Sequence, residues 1–308
     1  MYGAAPRVTG ILLLDKPEGL SSNAALQRVK HLLGASKAGH VGSLDPLATG
    51  MLPICLGEAT KVAGEIVGGR KRYAFEVMLG SRTDTGDREG EVIETAPVPA
   101  LDSAEIERTL ARFRGPLLQV PPMYSAIKRA GQPLYRLARA GIEIERAPRE
   151  IEVHALSLIG MRGSNASPET LSFEALTSKG TYIRVLAEDI ARALGTCGHV
   201  IRLRRLSVAP FEQEPMLGLD EVEALCRAGG RPPLIAADRA LDALPPVDLP
   251  EAAARRVLNG QAVAAHGVAS GRVRLYDERG RFLGLGEADG RGTVRPKRMF
   301  LVGEGGSG

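Results

Sequence analysis

The chain has 308 residues, 44% of them hydrophobic and 25% charged, with a formal net charge of +4 and a pI of about 9.0. That is ordinary globular composition, long enough for one large domain and a small companion. Its three scattered cysteines, Cys55, Cys197 and Cys226, exclude a disulfide framework and a zinc knuckle, while the basic balance suits a polyanionic partner without establishing one.

In chain order, "MYGAAPRVTGILLLDKP" lacks the charged start and the long apolar run of a signal peptide, and no run approaches transmembrane length. The protein therefore reads as soluble and cytoplasmic. "GILLLDK" predicts a strand stopped by Pro17, and "SSNAALQRVKHLLG" a helix capped by Ser21 or Ser22 and ended by Gly34. "GSLDPLATG" is a stiff turn carrying Asp45, followed by the apolar run "MLPICLG" and a short helix in "EATKVAGEIVGG". "KRYAFEVMLG" alternates as a strand with Tyr73, Phe75 and Val77 on one face. "SRTDTGDREG" reads as a polar loop before the strand "EVIET", and Asp102 with Glu105 as a capping box for "SAEIERTLARFRG".

A basic stretch follows, with a short helix from Pro133 between Gly131 and Gly141. Strands are expected near residues 151–160 and 170–178, then the amphipathic helix "YIRVLAEDIARALG" and the basic strand "HVIRLRRLSV". Strands and helices mix without regular βα alternation, which predicts an α+β fold with a mixed, mostly antiparallel central sheet and flanking helices. The proline-rich "ALPPVDLP" marks a boundary, beyond which short strands and glycine turns predict a small β-rich module. "GEGGSG" reads as a disordered tail.

No phosphate-cradle, HExxH, GxSxG or kinase pattern occurs, and "DTGDREGEVIE" fails as an EF-hand because Gly86 and Arg88 stand where ligands are needed. Cys197 and His199 make at most half a metal site. Taken singly, Asp45 before a proline is an Asx-turn residue, His40 a structural histidine, Tyr73 a core residue and Arg184 a solvated or ion-paired one.

Taken together they fall in a motif series. "LLLDKPEGLSSN", "AGHVGSLDPLATGMLPICLGEATK", "KRYAFEVMLGSRTDTGD", "PPMYSAIKRAGQPLYRLARAGIE", "SKGTYIRVLAEDI" and "GTCGHVIRLRRLSV" occur in that order. The series closely resembles the bacterial tRNA pseudouridine-55 synthases of the TruB type, from about Gly10 to Leu301. It departs from them at Val41, Ser43 and Ser21, none of them a charged catalytic position.

The resemblance implies an isomerase that detaches one T-loop uracil from its sugar and rejoins it through carbon, with no metal or other cofactor. Asp45 matches the catalytic carboxylate, Arg184 its basic partner, and Tyr73 the aromatic that stacks on the target base. Tyr182 and Leu203 match pocket walls, Asp87 a member of the charge network, and His40 the residue that fills the space left by the flipped base. By the same resemblance residues 1–242 form the catalytic domain, with 121–149 as an RNA-binding thumb insertion. Residues 248–302 form a PUA-like module against the acceptor stem, with cations from "VRPKR", and 303–308 the disordered tail. The expected partner is tRNA, through its T arm and acceptor stem, with no membrane, no obligatory protein partner, and a monomeric enzyme. Two rival readings are a tRNA-folding chaperone in which catalysis is secondary, and the guide-RNA-dependent relatives, which share the Asp loop but lack the thumb stretch.

Overall fold

The computed structural model describes residues 8–129 and 131–300; the expected 303–308 tail lies outside them. The chain opens with β1 (Gly10–Lys16), α1 (Ser22–Leu32), β2 (Ala38–His40) and β3 (Thr49–Leu56). The Ser21 hydroxyl caps α1 by accepting from the Ala24 N–H, and Gly34 beyond the helix has φ +60°. Both β1 and β3 are continuous apolar runs because both of their faces are covered. Leu12 and Leu14 enter the main core with α1, while Ile11 and Leu13 enter a second cluster on the other face.

The helix expected over 58–69 is a 3-10 turn (Gly57–Val62) that passes into α2 (Ala63–Gly68). Thr60 Oγ1 donates to the Gly57 carbonyl and favours the tighter turn. β4 (Lys71–Leu79) buries Tyr73, Phe75 and Val77, as its alternation requires, and the Phe75 ring lies 5.3 Å from that of Phe173. The polar loop after it contains a hairpin, β5 (Ser81–Thr83) with β6 (Val92–Thr95). The Asp84 carboxylate closes its turn by accepting from the Glu91 N–H. In α3 (Ser103–Ala111) half of the capping box forms: Asp102 accepts from the Glu105 N–H, and no reciprocal bond from Glu105 is made.

β7 (Gly115–Gln119) leads into an excursion that holds β8 (Lys128–Arg129), β9 (Gln132–Pro133) and α4 (Leu134–Arg139). It returns as β10 (Arg149–Ser164), where Arg149 pairs with Gln119, so the excursion leaves and re-enters the sheet at adjacent points. β11 (Ser167–Thr177), α5 (Ile183–Ala193), β12 (Gly198–Val208), β13 (Leu217–Gly218) and α6 (Leu219–Arg227) complete the first layer. The nine-stranded sheet runs β13-β1-β3-β12-β4-β11-β10-β7, with β2 on β3. It is antiparallel except where β13 meets β1 and β12 meets β3, the mixed and mostly antiparallel sheet that the sequence predicts.

A second, five-stranded sheet is ordered β14 (Pro246–Leu249), β16 (Gly271–Asp277), β17 (Phe282–Ala288), β18 (Thr293–Met299) and β15 (Val263–Ala264), packed on α7 (Glu251–Leu258). Leu285 and Phe300 join it to the Ile11, Leu13 and Met51 cluster, and Arg272 forks onto Glu65 at 2.8 and 2.9 Å. Cys197 and His199 turn to the backbone carbonyls of Glu94 and Ser81 respectively.

The junction of β3 and β12 sets the position of the Asp45 loop. Gly50 has φ +98°, and a Cβ there would lie 2.1 Å from the Arg205 carbonyl oxygen. Gly50→Ala is therefore expected to destabilise the protein by more than about 2 kcal/mol in urea unfolding, and a loss below roughly 0.5 kcal/mol would refute this close approach.

Candidate active site

Asp45 stands on the loop between β2 and β3, and buried polar groups hold that loop on every side. The Ser22 hydroxyl both accepts from the Leu44 N–H (2.7 Å) and donates to the Leu44 carbonyl (3.0 Å). The fully buried Lys16 ammonium donates to the carbonyls of Pro17, Leu20 and Pro46 at 2.8, 2.7 and 3.3 Å. The fully buried Arg205 joins the two ends of the loop, with Nε on the Met51 carbonyl (2.7 Å) and Nη2 on that of Gly42 (2.8 Å). The Ala48 N–H bonds back to the Asp45 carbonyl at 3.0 Å, the turn that Pro46 favours.

The Asp45 carboxylate opens into a cleft of about 340 Å³ with its side chain 40% exposed, and Oδ2 lies 3.0 Å from Arg184 Nε. Arg184 is itself buried, at the second position of α5 on the face that carries Ile183, Leu186, Ala187, Ile190 and Ala191. Its other nitrogens donate to the carbonyls of Thr85 and Tyr124, so the fork is fixed before any substrate arrives. Asp87, also buried, lies 3.7 Å from the same Nε, and its Oδ1 accepts from Thr85 Oγ1 and from the Glu89 N–H. Burial raises the Asp45 carboxyl above its ordinary value; Arg184 pulls it back down and Asp87 pushes it up.

Of the seven residues singled out in the sequence, Asp45, Tyr73, Tyr182, Arg184 and Leu203 line this one cleft. Tyr73 and Leu203 are buried walls on β4 and β12. Burial raises the Tyr182 phenol and keeps it protonated. Asp87 stands behind Arg184, and His40 lies on β2 opposite Ile54, half-buried and outside the cleft lining. Its Nδ1 is buried without a partner among the described residues, and burial with nearby Arg205 lowers its pKa, so the ring is neutral. Among the described residues that line the cleft, Asp45 is the sole carboxylate.

Comparison with known proteins decides the family. Residues 30–183 match the TruB family pseudouridylate synthase N-terminal domain, 184–242 the tRNA pseudouridylate synthase B C-terminal domain, and 245–300 the pseudouridine synthase II TruB C-terminal region. Over 293 residues, 95% of this chain and 92% of the relative, it is 50% identical to the tRNA pseudouridine synthase B of Aromatoleum aromaticum. The chain belongs to the TruB family of pseudouridylate synthases.

The corresponding TruB protein of Stutzerimonas stutzeri is 47% identical over 298 residues, 95% of this chain and 96% of that one. A chain of a solved H/ACA RNP bound to a substrate RNA containing 2′-deoxyuridine shares the fold, with a TM-score of 0.70 at 22% identity over 96% of this chain and 86% of that chain. The β-rich C-terminal region of this TruB member is PUA-like.

Four side chains that hold the TruB cleft together escape a reading of the sequence: Lys16, Ser22, Arg205 and Gln119. Gln119 is buried and bonds both ways to the Tyr182 backbone, accepting from its N–H at 2.7 Å and donating to its carbonyl at 3.1 Å. Each makes at least one bond to a backbone group 22 or more residues away, which no local pattern announces. One signal was available for Arg205: it lies two residues after Leu203 on the same strand and so on the same face.

The charge arrangement predicts the pH response. Because Asp45 is raised, turnover should fall on acidification at a pH above the ordinary aspartate range of about 4. Asp87→Asn removes a charge that raises Asp45, so the acid limb of kcat should move to lower pH, and an unmoved limb would show that Asp87 does not act on the carboxylate.

Proposed function

We propose that this chain is a tRNA pseudouridine synthase that isomerises the T-loop uridine, with Asp45 as the catalytic carboxylate and no cofactor. One observation carries this reading: a single carboxylate, held by the Nε of a buried arginine, opens into a cleft whose lining holds no second carboxylate among the described residues. Hydrolytic glycosidases pair two carboxylates, one of them to activate water or to serve as acid. An isomerase needs no water as reactant. In the net reaction the N1–C1′ bond breaks, C5–C1′ forms, the C5 proton leaves and N1 gains one.

Attack on the base, attack on the sugar and elimination from the sugar all require Asp45 ionised. The Arg184 fork favours that state against the burial that opposes it. Tyr73 supplies a ring on the cleft wall against which a flipped uracil can stack, and Leu203 an apolar surface beside it. Neutral His40, half-buried near the loop, suits insertion among the bases that the flipped nucleotide leaves behind.

The excursion over residues 121–149 is proposed as the thumb. Lys128, Arg129, Arg136 and Arg139 are exposed on it, while its root reaches the active site: Ser125, Ala126 and Ile127 line the cleft, and the Tyr124 carbonyl accepts from Arg184. The thumb is therefore part of the catalytic wall, and removing it whole would unseat Arg184. In "VRPKR" Lys297 is paired with Glu287 at 2.5 Å and Arg298 donates to the Lys61 carbonyl, which leaves Arg295 as the cation there most available to RNA. The stand-alone enzyme is favoured over the guide-dependent reading because this excursion is present.

Tritium release from tRNA labelled at uracil C5 tests the reaction. The wild type should release tritium, and Asp45→Asn should lose more than about a thousandfold in rate while keeping its melting temperature and its affinity for tRNA. No release from the wild type refutes the synthase; full release from the variant refutes Asp45. Replacing Lys128, Arg136 and Arg139 by Gln should lower the slope of log Kd against log salt by about 2, and an unchanged slope would remove the thumb cations from RNA binding.

A further inference from the structure

The cleft holds a second charged locus that the isomerisation does not use. Lys71, at the start of β4, is buried and donates to the carbonyls of Val67 (2.8 Å) and Gly69 (2.6 Å). Arg205 spends Nε and Nη2 on the Asp45 loop, while Nη1 makes no hydrogen bond among the described residues. The two side chains meet at Gly42: a Cβ there would lie 3.2 Å from Arg205 Nη1 and 3.8 Å from Lys71 Cε. Gly42, Lys71 and Arg205 all line the cleft.

Two buried cations side by side are expensive without an anion. Neither forms an ion pair with a described carboxylate, and the charged groups acting on Lys71 are Arg205 and Lys179, both cations. Burial and those neighbours pull the Lys71 ammonium down to about 8. Exposed Lys179 adjoins Gly180, another cleft residue. The carboxylate of the site cannot serve as counter-ion, since Asp45 is held by Arg184, and Lys16 is the further cation that acts on it. The cleft thus has an Asp–Arg end and a separate end with an unbalanced positive charge.

A nucleotide has matching parts: a neutral base and sugar, and a fully ionised phosphodiester on either side. A neutral carbonyl would leave two cations uncompensated, whereas a phosphate oxygen accepts from guanidinium and ammonium together. We infer that Arg205 and Lys71, with Lys179 at the rim, form the subsite for a backbone phosphate flanking the target uridine, which draws the flipped nucleotide to a fixed depth beside Asp45. The inference rests on the RNA isomerase reading above. It adds a role to Arg205, which both braces the Asp45 loop and binds substrate, so that engagement of the phosphate and placement of the carboxylate share one guanidinium.

The test uses T-arm stem-loop RNAs in which a neutral methylphosphonate replaces the phosphate 5′ or 3′ of the target uridine, with a third RNA substituted three nucleotides away as control. With the wild type one flanking replacement should raise Kd roughly tenfold and the control less than twofold. In Lys71→Gln the same flanking replacement should raise Kd at least twofold less than in the wild type, because only Arg205 of the two buried cations remains to meet the phosphate. Lys179→Gln, an exposed change that leaves the fold alone, should cut the wild-type ratio at least twofold. A flanking effect no larger than the control, or one of equal size in wild type and both variants, overturns the subsite. Pseudouridine formation in the unsubstituted stem-loop is read in the same samples. Its absence overturns the isomerase reading, and its presence with no flanking effect overturns the subsite alone.

Discussion

Two buried cations that make no direct ion pair among the described residues, Lys16 and Arg205, hold the loop on which everything else depends. Removing a charge from water costs several kcal/mol, and here charge-assisted bonds to five backbone carbonyls, three on Lys16 and two on Arg205, offset part of that cost. Carbonyls are fixed points of the chain, so the bonds restrict backbone rather than side-chain motion. A short loop tied at both ends and in the middle can present one carboxylate at one place. That rigidity lets a single Asp stand where looser sites would need several groups.

The same bracing sets the electrostatics. Asp45 is exposed enough to reach a ligand, yet it is surrounded by protein that disfavours its charge. Arg184 opposes that burial and favours the ionised form, and it is held in place to do so because its two other nitrogens are anchored on Thr85 and Tyr124 carbonyls contributed by separate segments. Asp87 shares the guanidinium and so moderates it, leaving Asp45 less tightly satisfied than in a closed pair. A carboxylate that its arginine leaves incompletely satisfied stays able to act on a substrate rather than rest in a salt bridge.

How much of this was legible follows from where each residue's partner lies. The Ser21 cap, the period-two burial of β4 and the 3.6-period face of α5 depend on neighbours close in the chain, and each shows in the sequence. The two-sided burial of β1 and β3 shows as unbroken apolar runs. The seven site residues showed through a motif series rather than through any local rule, since His40, Asp45, Tyr73 and Arg184 each have an ordinary structural reading alone. Gln119 lies outside that series, and Lys16 and Arg205 lie within it with nothing to mark them as braces of the Asp45 loop. The bonds by which they reach across the fold go to backbone groups 30 to 163 residues away, and backbone groups are the same whatever the sequence.

The second sheet raises the same issue of fixed distance on a larger scale. Recognition of a folded RNA by shape needs a constant separation between the cleft and any outer contact surface. The proline-rich link at residues 243–250 suggests a hinge, but β14 runs through it and pairs with β16. The connection that matters is elsewhere: Leu285 and Phe300 of the C-terminal region pack with Ile11, Leu13, Met51 and Cys55. These lie on the outer faces of β1 and β3, whose inner faces build the main core. β3 begins four residues after Asp45, and Met51 on it also supplies a carbonyl to Arg205. The strand that ends the Asp45 loop is therefore the strand on which the second sheet is seated. With Arg272 forked on Glu65 and Lys61 bonded to the Met299 carbonyl, the spacing between Asp45 and the PUA-like surface is set by core packing, not by the length of a linker.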